Sequence, residues 1–542
     1  MNQEYIKPHV VVKDGYYFDY EHYPLGKSPF FACGAYYIQE PSAMLVSHFL
    51  DVKEDDYILD MCAAPGGKTC AVASRLSQQG LMIANDIVSL RAKILSENVE
   101  RFALQNTIVT NCDPLQLTKT LPGFFDKIIL DAPCSGEGMF RKNDQAIETW
   151  SIEKVNECAY IQIQLLDAAM LLLKPGGQLI YSTCTYNTIE NEQQIQYLLD
   201  QYDCSLIPLK KSHGMMPGID MEEAIRLYPH HYQGEGHFIA LIQKHGEAAT
   251  TKVKALKPTI SKQNQKLVQD FYSQYLNLKA PQYLYDNNNH IYALLPQFPE
   301  LKGIRVLRNG LYLGECKKNR FEPSLALALT LHHEDVKQSY TFHENDLKVR
   351  QYMHGEAIEG SNQKGYGVIF VEDYPLSFYK ESQHQAKKSL SKGVKTMNRY
   401  QNLKDIFFQT IEEKCHGIYK QKAYFHSLQV STLTQEFALK KHLDIELASI
   451  IGLFHDYAQF INHSSFDHAS RSSQMLLPLL EDFNEEEKNI ITNAIKNHSD
   501  KERIDDVYSE ILKDADVLAQ YLAEPDIILK ASYQKRLNLY VK

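Results

Sequence analysis

The sequence lacks the patterns that mark secreted, membrane-spanning and disulfide-framed proteins. Its ten cysteines are scattered and form neither a CxxC pair nor a dense framework. This distribution is typical of a reducing compartment, where thiols persist as small hydrophobic groups or do chemistry. The opening residues, MNQEYIKPHVVVKDG, contain no signal-peptide core, and no uninterrupted apolar run approaches the length that spans a bilayer. We therefore expect a cytoplasmic protein with no membrane partner.

Length and composition indicate several globular domains. The chain has 542 residues, of which 44% are hydrophobic and 23% charged, enough for three or four domains. The net charge of −10 counts against a nucleic-acid partner, although a local basic face would be sufficient to bind one. Two basic runs, 244–266 and 380–395, could supply such a face, and each could equally be a solvated linker.

Short apolar runs alternate with helical patterns from about residue 57 to residue 243. This alternation predicts an α/β fold with a doubly wound, mostly parallel sheet. The runs that we interpret as buried strands are 57–61, 81–86, 107–111, 127–132, 176–184 and 238–244.

The rest of the chain changes character twice. Residues 245–280 lose the apolar pattern and gain Lys, Thr and Gln, so we predict a linker there. A β-rich stretch with one helical segment near 322–331 follows and predicts a small α+β module that ends near 396. Beyond it the pattern is almost wholly helical to residue 542.

A glycine turn and two acids predict a nucleoside-like ligand. The first strand leads into DMCAAPGGKT, where Gly66 and Gly67 permit a tight turn and the close approach of a ligand. Asp86 follows the second strand, where an acid can bind ribose hydroxyls, and Asp113 follows the third, where it can accept from an adenine amino group. The turn is not a pyrophosphate loop, so S-adenosylmethionine fits better than NAD. Ordinary turn glycines and capping acids would produce similar spacings.

Two cysteines follow strands of the same predicted sheet. Cys134 comes after the strand that ends at Asp131, and Cys184 lies at the carboxyl end of the strand 176–183. Ligands of doubly wound sheets bind at these carboxyl ends. Two thiols beside a methyl donor suggest methylation at carbon 5 of a pyrimidine, in which a thiolate adds to carbon 6 and a base later removes the proton from carbon 5. The plainer interpretation is that both are buried cysteines without chemistry.

Six motifs resemble the NOL1/NOP2/sun family of RNA cytosine-5 methyltransferases, and in particular its bacterial RsmF type, which acts on small-subunit ribosomal RNA. They are YYIQEPSAM, DMCAAPGGKT, RAKILSENVERFAL, DAPCSGEGMFRK, YSTCTYNTIENE and RLYPHHYQGEGHFIAL. The resemblance implies that Cys184 is the nucleophile and that Cys134 assists release of the product. It also implies that Asp131 holds the ring-nitrogen edge of the cytosine. DNA cytosine-5 methyltransferases attack with the other cysteine, so the presence of Cys184 favours RNA over DNA.

The same resemblance implies a set of cofactor contacts and a domain plan. The S-adenosylmethionine contacts would be Cys62, Ala63, Ala64, Pro65, Gly66, Gly67, Lys68, Asp86, Asp113 and Asp131. The predicted parts are a remnant of an N-terminal RNA-binding segment (1–37), a Rossmann-like methyltransferase domain (38–245), a linker (246–279), a PUA-like RNA-binding module (280–396) and an all-α domain (397–542). The RNA-binding module would give the basic run at 387–395 a role.

The helical C-terminal part carries a second pattern, H…HD…D. It consists of His426, the adjacent pair His455 and Asp456, and Asp516, which together can bind one divalent metal ion. The order resembles the HD-domain phosphohydrolases, which cleave phosphoesters with a metal-activated water.

Two more histidines, His468 and His498, could complete a second metal site or bind phosphate. The sequence HDYAQF departs from HDIGRF of the resembled subgroup, since Ala458 and Gln459 replace Gly and Arg. A structural metal or a decayed domain is the alternative.

The sequence therefore predicts an RNA 5-methylcytosine methyltransferase fused to an HD domain. Its partners would be 16S ribosomal RNA or the small ribosomal subunit. The alternative is an inactive RNA-binding protein with a structural HD domain.

Overall fold

The computed structural model divides the chain into two compact units, Met1–Ser391 and Lys392–Lys542. It describes every residue except 1–5, 20, 21, 23, 24, 143, 248–252, 354, 362, 389–397, 442, 481, 482, 484, 525–529, 539, 541 and 542.

Unit 1 contains both strands and helices. Its strands are β1 (Ile6–Pro8), β2 (Tyr16–Phe18), β3 (Tyr57–Asp60), β4 (Leu81–Asn85), β5 (Thr107–Thr110), β6 (Phe125–Asp131), β7 (Leu173–Thr183), β8 (Cys204–Ile207), β9 (Met216–Gly218), β10 (Met221–Leu227), β11 (His237–Lys244), β12 (Leu284–Asn287), β13 (His290–Ala293), β14 (Val306–Asn309), β15 (Leu311–Lys317), β16 (Arg320–Pro323), β17 (Ser339–Phe342), β18 (Ile358–Glu359), β19 (Gly365–Val371), β20 (Tyr374–Ser382) and β21 (Gln385–Lys388). Its α-helices are α1 (Pro29–Ala32), α2 (Pro41–His48), α3 (Gly67–Ala73), α4 (Ser89–Arg101), α5 (Pro114–Leu117), α6 (Asp144–Glu148), α7 (Ile152–Leu172), α8 (Glu192–Gln201), α9 (Lys262–Tyr275), α10 (Leu325–Leu329) and α11 (Leu347–Met353).

The largest sheet of the described residues has ten strands in the order β14-β5-β4-β3-β6-β7-β11-β10-β9, with β8 paired to β11. Strands β3 to β7 are parallel to their neighbours within this set, and β11 is antiparallel to β7. The chain runs outward from β3 through β4 to β5 and then returns to β6 on the other side of β3. Ligands of such sheets bind at this switch point, outside the carboxyl ends of the strands.

Successive strand residues supply the cores on the two faces of this sheet. On β3, Ile58 packs into one core cluster and Leu59 into the other. On β6 the same alternation places Ile129 in the first cluster and Ile128 in the second. Since both faces are buried, the strands are continuous apolar runs, which is why they were detectable in the sequence.

The predicted RNA-binding module is partly continuous with this sheet. Strand β14 pairs antiparallel with β5, so that Val306 lies opposite Thr110. The remaining strands of the module form a four-stranded sheet, β12-β13-β15-β16, and a five-stranded sheet, β17-β19-β20-β21-β18. Helix α10 (Leu325–Leu329) corresponds to the helical segment predicted near 322–331.

The segment predicted as a linker, 246–279, is largely ordered structure, and the linker prediction is wrong there. Helix α9 occupies Lys262–Tyr275, and Ser261 caps it by accepting from the backbone N–H of Asn264. Val268 and Phe271 are buried in the core of the module. The helix was missed because a few apolar positions, spaced three or four apart, lie among many Lys, Gln and Asn residues.

All the regular elements in the described residues of unit 2 are helices. Its helices are α12 (Asn398–Lys414), α13 (Gly417–Lys440), α14 (Ile445–Phe454), α15 (Tyr457–Asn462), α16 (His468–Leu476), α17 (Glu485–Asn497), α18 (Val507–Ala523) and α19 (Ala531–Leu537). Helix α14 lies at the centre, with eight of its ten residues buried.

Parts of both predicted basic runs lie outside the described residues, namely 248–252 of the first and 389–395 of the second. In the part of the chain that is described, no helix is both long and apolar enough to cross a membrane.

Candidate active site and candidate metal centre

The glycine turn after β3 is packed too closely for larger residues. Gly66 adopts φ 114°, in the region that favours glycine, and precedes the first turn of α3. A Cβ atom at Gly67 would lie 3.0 Å from both Tyr37 and Gln39. The turn therefore packs tightly against Tyr37 and Gln39, and it leads directly into the N-terminus of α3 beside Cys62.

Side chains of α4 fix the carbonyl groups of this turn. Arg91 donates to the carbonyl of Ala64 over 2.8 Å, and Asn98 donates to that of Pro65 over 2.8 Å. Arg91 also lies 3.3 Å from the carboxylate of Asp86, so one guanidinium links the turn to the acid that follows β4. The turn and this acid are thereby held in a fixed relation.

Asp60, at the end of β3, is a buried carboxyl beneath the turn. Thr69 donates to one of its oxygens over 2.7 Å, whereas the other oxygen has no hydrogen-bond partner. Burial raises the pKa of Asp60 to about 7. It is a residue that the sequence analysis did not single out.

A cavity of about 760 Å³ lies along the carboxyl ends of the central strands. The sequence-predicted residues that line it are Cys62, Asp86, Asp113, Asp131, Cys134 and Cys184. The other six predicted cofactor residues, 63–68, form the adjoining turn and the start of α3 and are not part of the cavity lining. A single cavity thus brings the predicted cofactor acids and both cysteines together, while their roles remain predictions.

Asp131 joins three elements. Its Oδ2 lies 2.7 Å from the Lys68 ammonium at the start of α3, and its Oδ1 accepts from Ser182 on β7 over 2.7 Å. Burial alone would raise the pKa of Asp131, but Lys68 and the hydrogen bonds bring it below its ordinary value. The carboxylate therefore stays ionised at the edge of the cavity.

The two cysteines are in contact. Their Sγ atoms are 3.1 Å apart, and both thiols are free. The pairing of β6 with β7, in which Asp131 lies opposite Ser182, brings the two following loops side by side. The contact with Cys184, together with burial, raises the pKa of the Cys134 thiol well above its ordinary value. Cys134 is thus a protonated thiol beside the sulfur of Cys184.

The sequence analysis missed the polar residues that support these loops. Glu190 is fully buried and accepts from the backbone N–H of Ser135 over 2.9 Å. Glu137 accepts from the backbone N–H groups of Tyr186 and Asn187 over 2.7 and 3.0 Å. Both acids lie within the sequence motifs DAPCSGEGMFRK and YSTCTYNTIENE. The signal that could have identified them was an acidic residue next to a cysteine loop in a buried segment.

In unit 2, the predicted metal ligands converge although they come from separate helices. His426 of α13 lies 3.1 Å from His455 through their Nε2 atoms, and 3.2 Å from Oδ1 of Asp516. Oδ2 of Asp456 is 3.5 Å from the Nε2 atom of His455. The structure therefore brings the four H…HD…D residues into one group.

His468 and His498 face the other oxygen of Asp456. Their Nε2 atoms lie 3.2 and 3.3 Å from its Oδ1. Donor atoms of the six residues fall into three overlapping groups, each compact enough for one metal ion: His426, His455 and Asp456; His455, His498 and Asp516; Asp456, His468 and His498. Asp456 can thus serve two neighbouring positions at once.

The chemistry of these side chains fits a cation. The Nδ1 atoms of His455, His468 and His498 lie 2.8, 3.0 and 2.6 Å from backbone carbonyls, so donation there leaves each Nε2 lone pair facing the group. Burial lowers the pKa of His455 to about 4, which keeps it neutral. With the Nε2 lone pairs of His468 and His498 turned toward it, Oδ1 of Asp456 is buried without a hydrogen-bond donor. A metal ion would satisfy all these atoms.

A buried lysine, unforeseen from the sequence, adjoins this cluster. Lys501 lies 2.5 Å from Oδ2 of Asp516 and is 5% exposed. The positive charge of Lys501 compensates the negative charge of Asp516 at Oδ2, while Oδ1 of Asp516 faces His426.

The fold and this site define a class of protein: a Rossmann-like methyltransferase joined to an HD domain. Family models match three consecutive stretches: the 16S rRNA methyltransferase RsmB/F at residues 47–243, the first C-terminal domain of the RsmF rRNA methyltransferase at 270–331, and the HD domain at 423–521. The predicted fold class is confirmed.

Curated relatives identify the family. A ribosomal RNA small subunit methyltransferase F of Aeromonas salmonicida is 32% identical over 65% of this chain and 76% of its own length, and one of Vibrio vulnificus is 33% identical over 64% and 76%. The chain belongs to the ribosomal RNA small subunit methyltransferase F family, as its motifs predicted. A solved methyltransferase homologue of Pyrococcus horikoshii is 34% identical, covers 44% of this chain and 78% of its own, and has a TM-score of 0.39.

Proposed function

We propose that this chain methylates carbon 5 of a cytosine in RNA and that the RNA is the 16S ribosomal RNA of the small subunit. One observation carries the proposal: the Cys134 and Cys184 sulfurs, 3.1 Å apart, line the cavity that also holds Asp131, Asp86 and Asp113. The RNA identity is supported by the names of the relatives, and it makes the cytoplasm the place of action.

Cys184 is the attacking group in this proposal. Its thiolate forms a bond to carbon 6 of a cytosine that has left the base stack, and the ring electrons make carbon 5 nucleophilic. Bound S-adenosylmethionine supplies the electrophilic methyl group. A base then takes the proton from carbon 5, and the electron pair expels the Cys184 sulfur.

Asp131 and Cys134 both support this attack. Asp131, kept ionised by Lys68, binds the ring-nitrogen edge of the cytosine. The protonated Cys134 thiol donates to the Cys184 sulfur, which favours its return to the thiolate and so the release of the methylated RNA.

The glycine turn and the two acids fit the cofactor. Asp86 would hold the ribose hydroxyls and Asp113 the adenine amino group, beside the turn at 62–67. The predicted site residues fit the group because Cys62, Asp86, Asp113 and Asp131 line one cavity of about 760 Å³, large enough for a nucleoside.

The test is incorporation of labelled methyl groups into small subunits from a methylation-deficient strain, followed by mapping of 5-methylcytosine. We expect Cys184→Ala to abolish transfer and Cys134→Ala to leave protein covalently trapped on RNA. Cys158→Ala is the matched control, because Cys158 is a half-buried cysteine outside the cavity. No incorporation at any cytosine by the wild type would instead support an inactive RNA-binding protein, and clean turnover by Cys134→Ala would contradict the assigned roles.

We further propose that the HD domain is a metal-dependent phosphohydrolase. His426, His455, Asp456 and Asp516 would hold one divalent ion, and His468 and His498 would hold a second through Asp456. A bound ion supplies a hydroxide nucleophile at neutral pH. The test is metal analysis of the purified full chain and hydrolysis of bis(p-nitrophenyl) phosphate and nucleotides. A wild-type chain without bound metal after loading with Mn²⁺ would overturn the proposal.

A further inference from the structure

We propose that Glu190 is the positioning residue that sets the distance between the two active-site thiols. The inference rests on the proposed function only in the role it gives to Cys134. It starts from the contacts of Glu190, which tie the loop that carries Cys134 to the loop that carries Cys184.

Glu190 holds the residue that follows Cys134. Its Oε2 accepts from the backbone N–H of Ser135 over 2.9 Å, and its Oε1 accepts from the hydroxyl of Ser135 over 2.5 Å. The Ser135 hydroxyl in turn lies 2.9 Å from that of Thr185, the residue after Cys184. The hydrogen bond between Ser135 and Thr185 therefore joins the residues that directly follow the two cysteines.

A second branch holds the residue that precedes Cys134. Gln162 on α7 donates from one Nε2 atom to Oε2 of Glu190 and to the carbonyl of Pro133, each over 2.9 Å. Asn187 of the Cys184 loop donates to Oε1 of Glu190 over 2.8 Å. Cys134 is thus clamped at both neighbouring peptide groups, and the clamp is centred on one carboxylate.

The carboxylate form is required at this position. Glu190 is 0% exposed, and the four groups that it binds are uncharged donors. Among the described residues no ion pair involves it. A carboxylate is an acceptor at both oxygens, whereas the glutamine side chain presents an NH₂ group on one side. In Glu190→Gln this NH₂ would face either the N–H of Ser135 or the NH₂ of Asn187, and a buried donor would lose its partner.

The rate at which Cys134 and Cys184 form a disulfide reports how closely their thiols are held, and it can be measured without RNA or cofactor. Treatment of the full chain with a diazene thiol oxidant forms one S–S bond from the two thiols, and the diazene takes their two protons and two electrons to become a hydrazine. Peptide mapping then gives the rate at which the Cys134–Cys184 bridge forms. We expect Glu190→Gln to slow this rate about tenfold, because loss of one buried hydrogen bond lets the loops separate.

Glu192→Gln is the matched control. Glu192 is a buried carboxylate two residues away that binds Arg226, over 2.6 and 2.5 Å, and makes none of the hydrogen bonds that hold Ser135 and Pro133 beside Cys134; Arg226 reaches the Cys184 loop only through the carbonyl of Tyr186. This variant should form the bridge at the wild-type rate. If Glu190→Gln does not fold, Gln162→Leu removes the donor to Pro133 and leaves Glu190 in place, and it should also slow the bridge.

Turnover on RNA gives a second readout that general loosening would not produce. Glu190→Gln should accumulate the covalent protein–RNA adduct as Cys134→Ala does, and the double variant should trap no more than Cys134→Ala alone. Bridge formation at the wild-type rate or faster in Glu190→Gln, or equal slowing in Glu192→Gln, would overturn the inference. If Cys134→Ala itself traps no adduct, the proposed cysteine roles fail, while the oxidation rates still decide the role of Glu190.

Discussion

The ammonium of Lys68 lies 2.7 Å from Oδ2 of Asp131, and this pair connects the glycine turn to the strand that precedes the cysteine loop. The Lys68 side chain is 12% exposed and that of Asp131 30%. Because water reaches the pair only in part, each charge depends on the other, and the loss of one leaves the second poorly solvated.

Lys68→Met should therefore destabilise the protein at pH 7 by about 2 kcal/mol, less than is typical of a fully buried pair. The folded pKa of Asp131 lies below its unfolded value, so its stabilising contribution is present above about pH 4 and is lost as the pH falls through the folded pKa. Denaturant unfolding of unit 1 at several pH values measures this effect. The difference in unfolding free energy between the wild type and Lys68→Met should become smaller below pH 4.

Lys174→Met is the control for that comparison. Lys174 lies 2.7 Å from Asp126, but the two side chains are 37% and 32% exposed. Its removal should cost less than about 1 kcal/mol. Equal losses in the two variants would mean that burial does not strengthen the Lys68 pair.

The unfolding free energy of Asp60→Asn should rise relative to that of the wild type as the pH rises. The folded pKa of Asp60 is about 7, above its unfolded value, so between about pH 4 and pH 7 the folded state retains a proton that the unfolded state has released. Wild-type stability therefore falls over this range, by roughly 1.4 kcal/mol per pH unit, and asparagine removes the effect. Unfolding free energies at pH 5 to 8 measure it. The same exchange at the exposed Asp55 should leave the wild-type slope unchanged, and a pH-independent difference between Asp60→Asn and the wild type would contradict the prediction.

The sequence predicted the elements whose signal is local. Each central strand was a short apolar run, and the motif residues at the strand ends meet in one cavity because parallel strands end at the same edge. Helix α9 was missed because its buried face is small, and β14 could not be assigned to the large sheet because its pairing with β5 is set over some two hundred residues.

Support of the site was harder to foresee than its members. Glu190 binds Ser135 in another loop, and Lys501 binds Asp516 on helix α18. The role of a buried polar group can be assigned only when such partners are known. Spacing in the sequence does not specify them.

Gly66→Ala should weaken binding of S-adenosylmethionine about tenfold or more. The φ of Gly66 is 114°, and a Cβ there would lie 3.0 Å from Leu95, so the turn must change shape to accept it. Titration calorimetry with S-adenosylmethionine measures the affinity. Gly176→Ala is the control, since Gly176 also has a positive φ, 79°, but meets nothing within 4 Å and lies near the start of β7, away from the carboxyl ends of the strands. Gly176→Ala should lower the stability of the protein without changing its affinity for S-adenosylmethionine. An unchanged affinity in Gly66→Ala would show that the turn does not take part in cofactor binding.

Metal content should separate the two halves of the HD cluster. Asp456 faces His455 with one oxygen and His468 with the other, so Asp456→Ala should weaken metal binding at both positions by more than about 100-fold. His468→Ala removes a ligand from one group alone and should lower the content of the Mn²⁺-loaded full chain from two ions to one. His463→Ala is the control, because this exposed histidine lies outside the cluster and should keep both ions. Elemental analysis after gel filtration gives the counts, and two ions retained by Asp456→Ala would rule out a shared carboxylate.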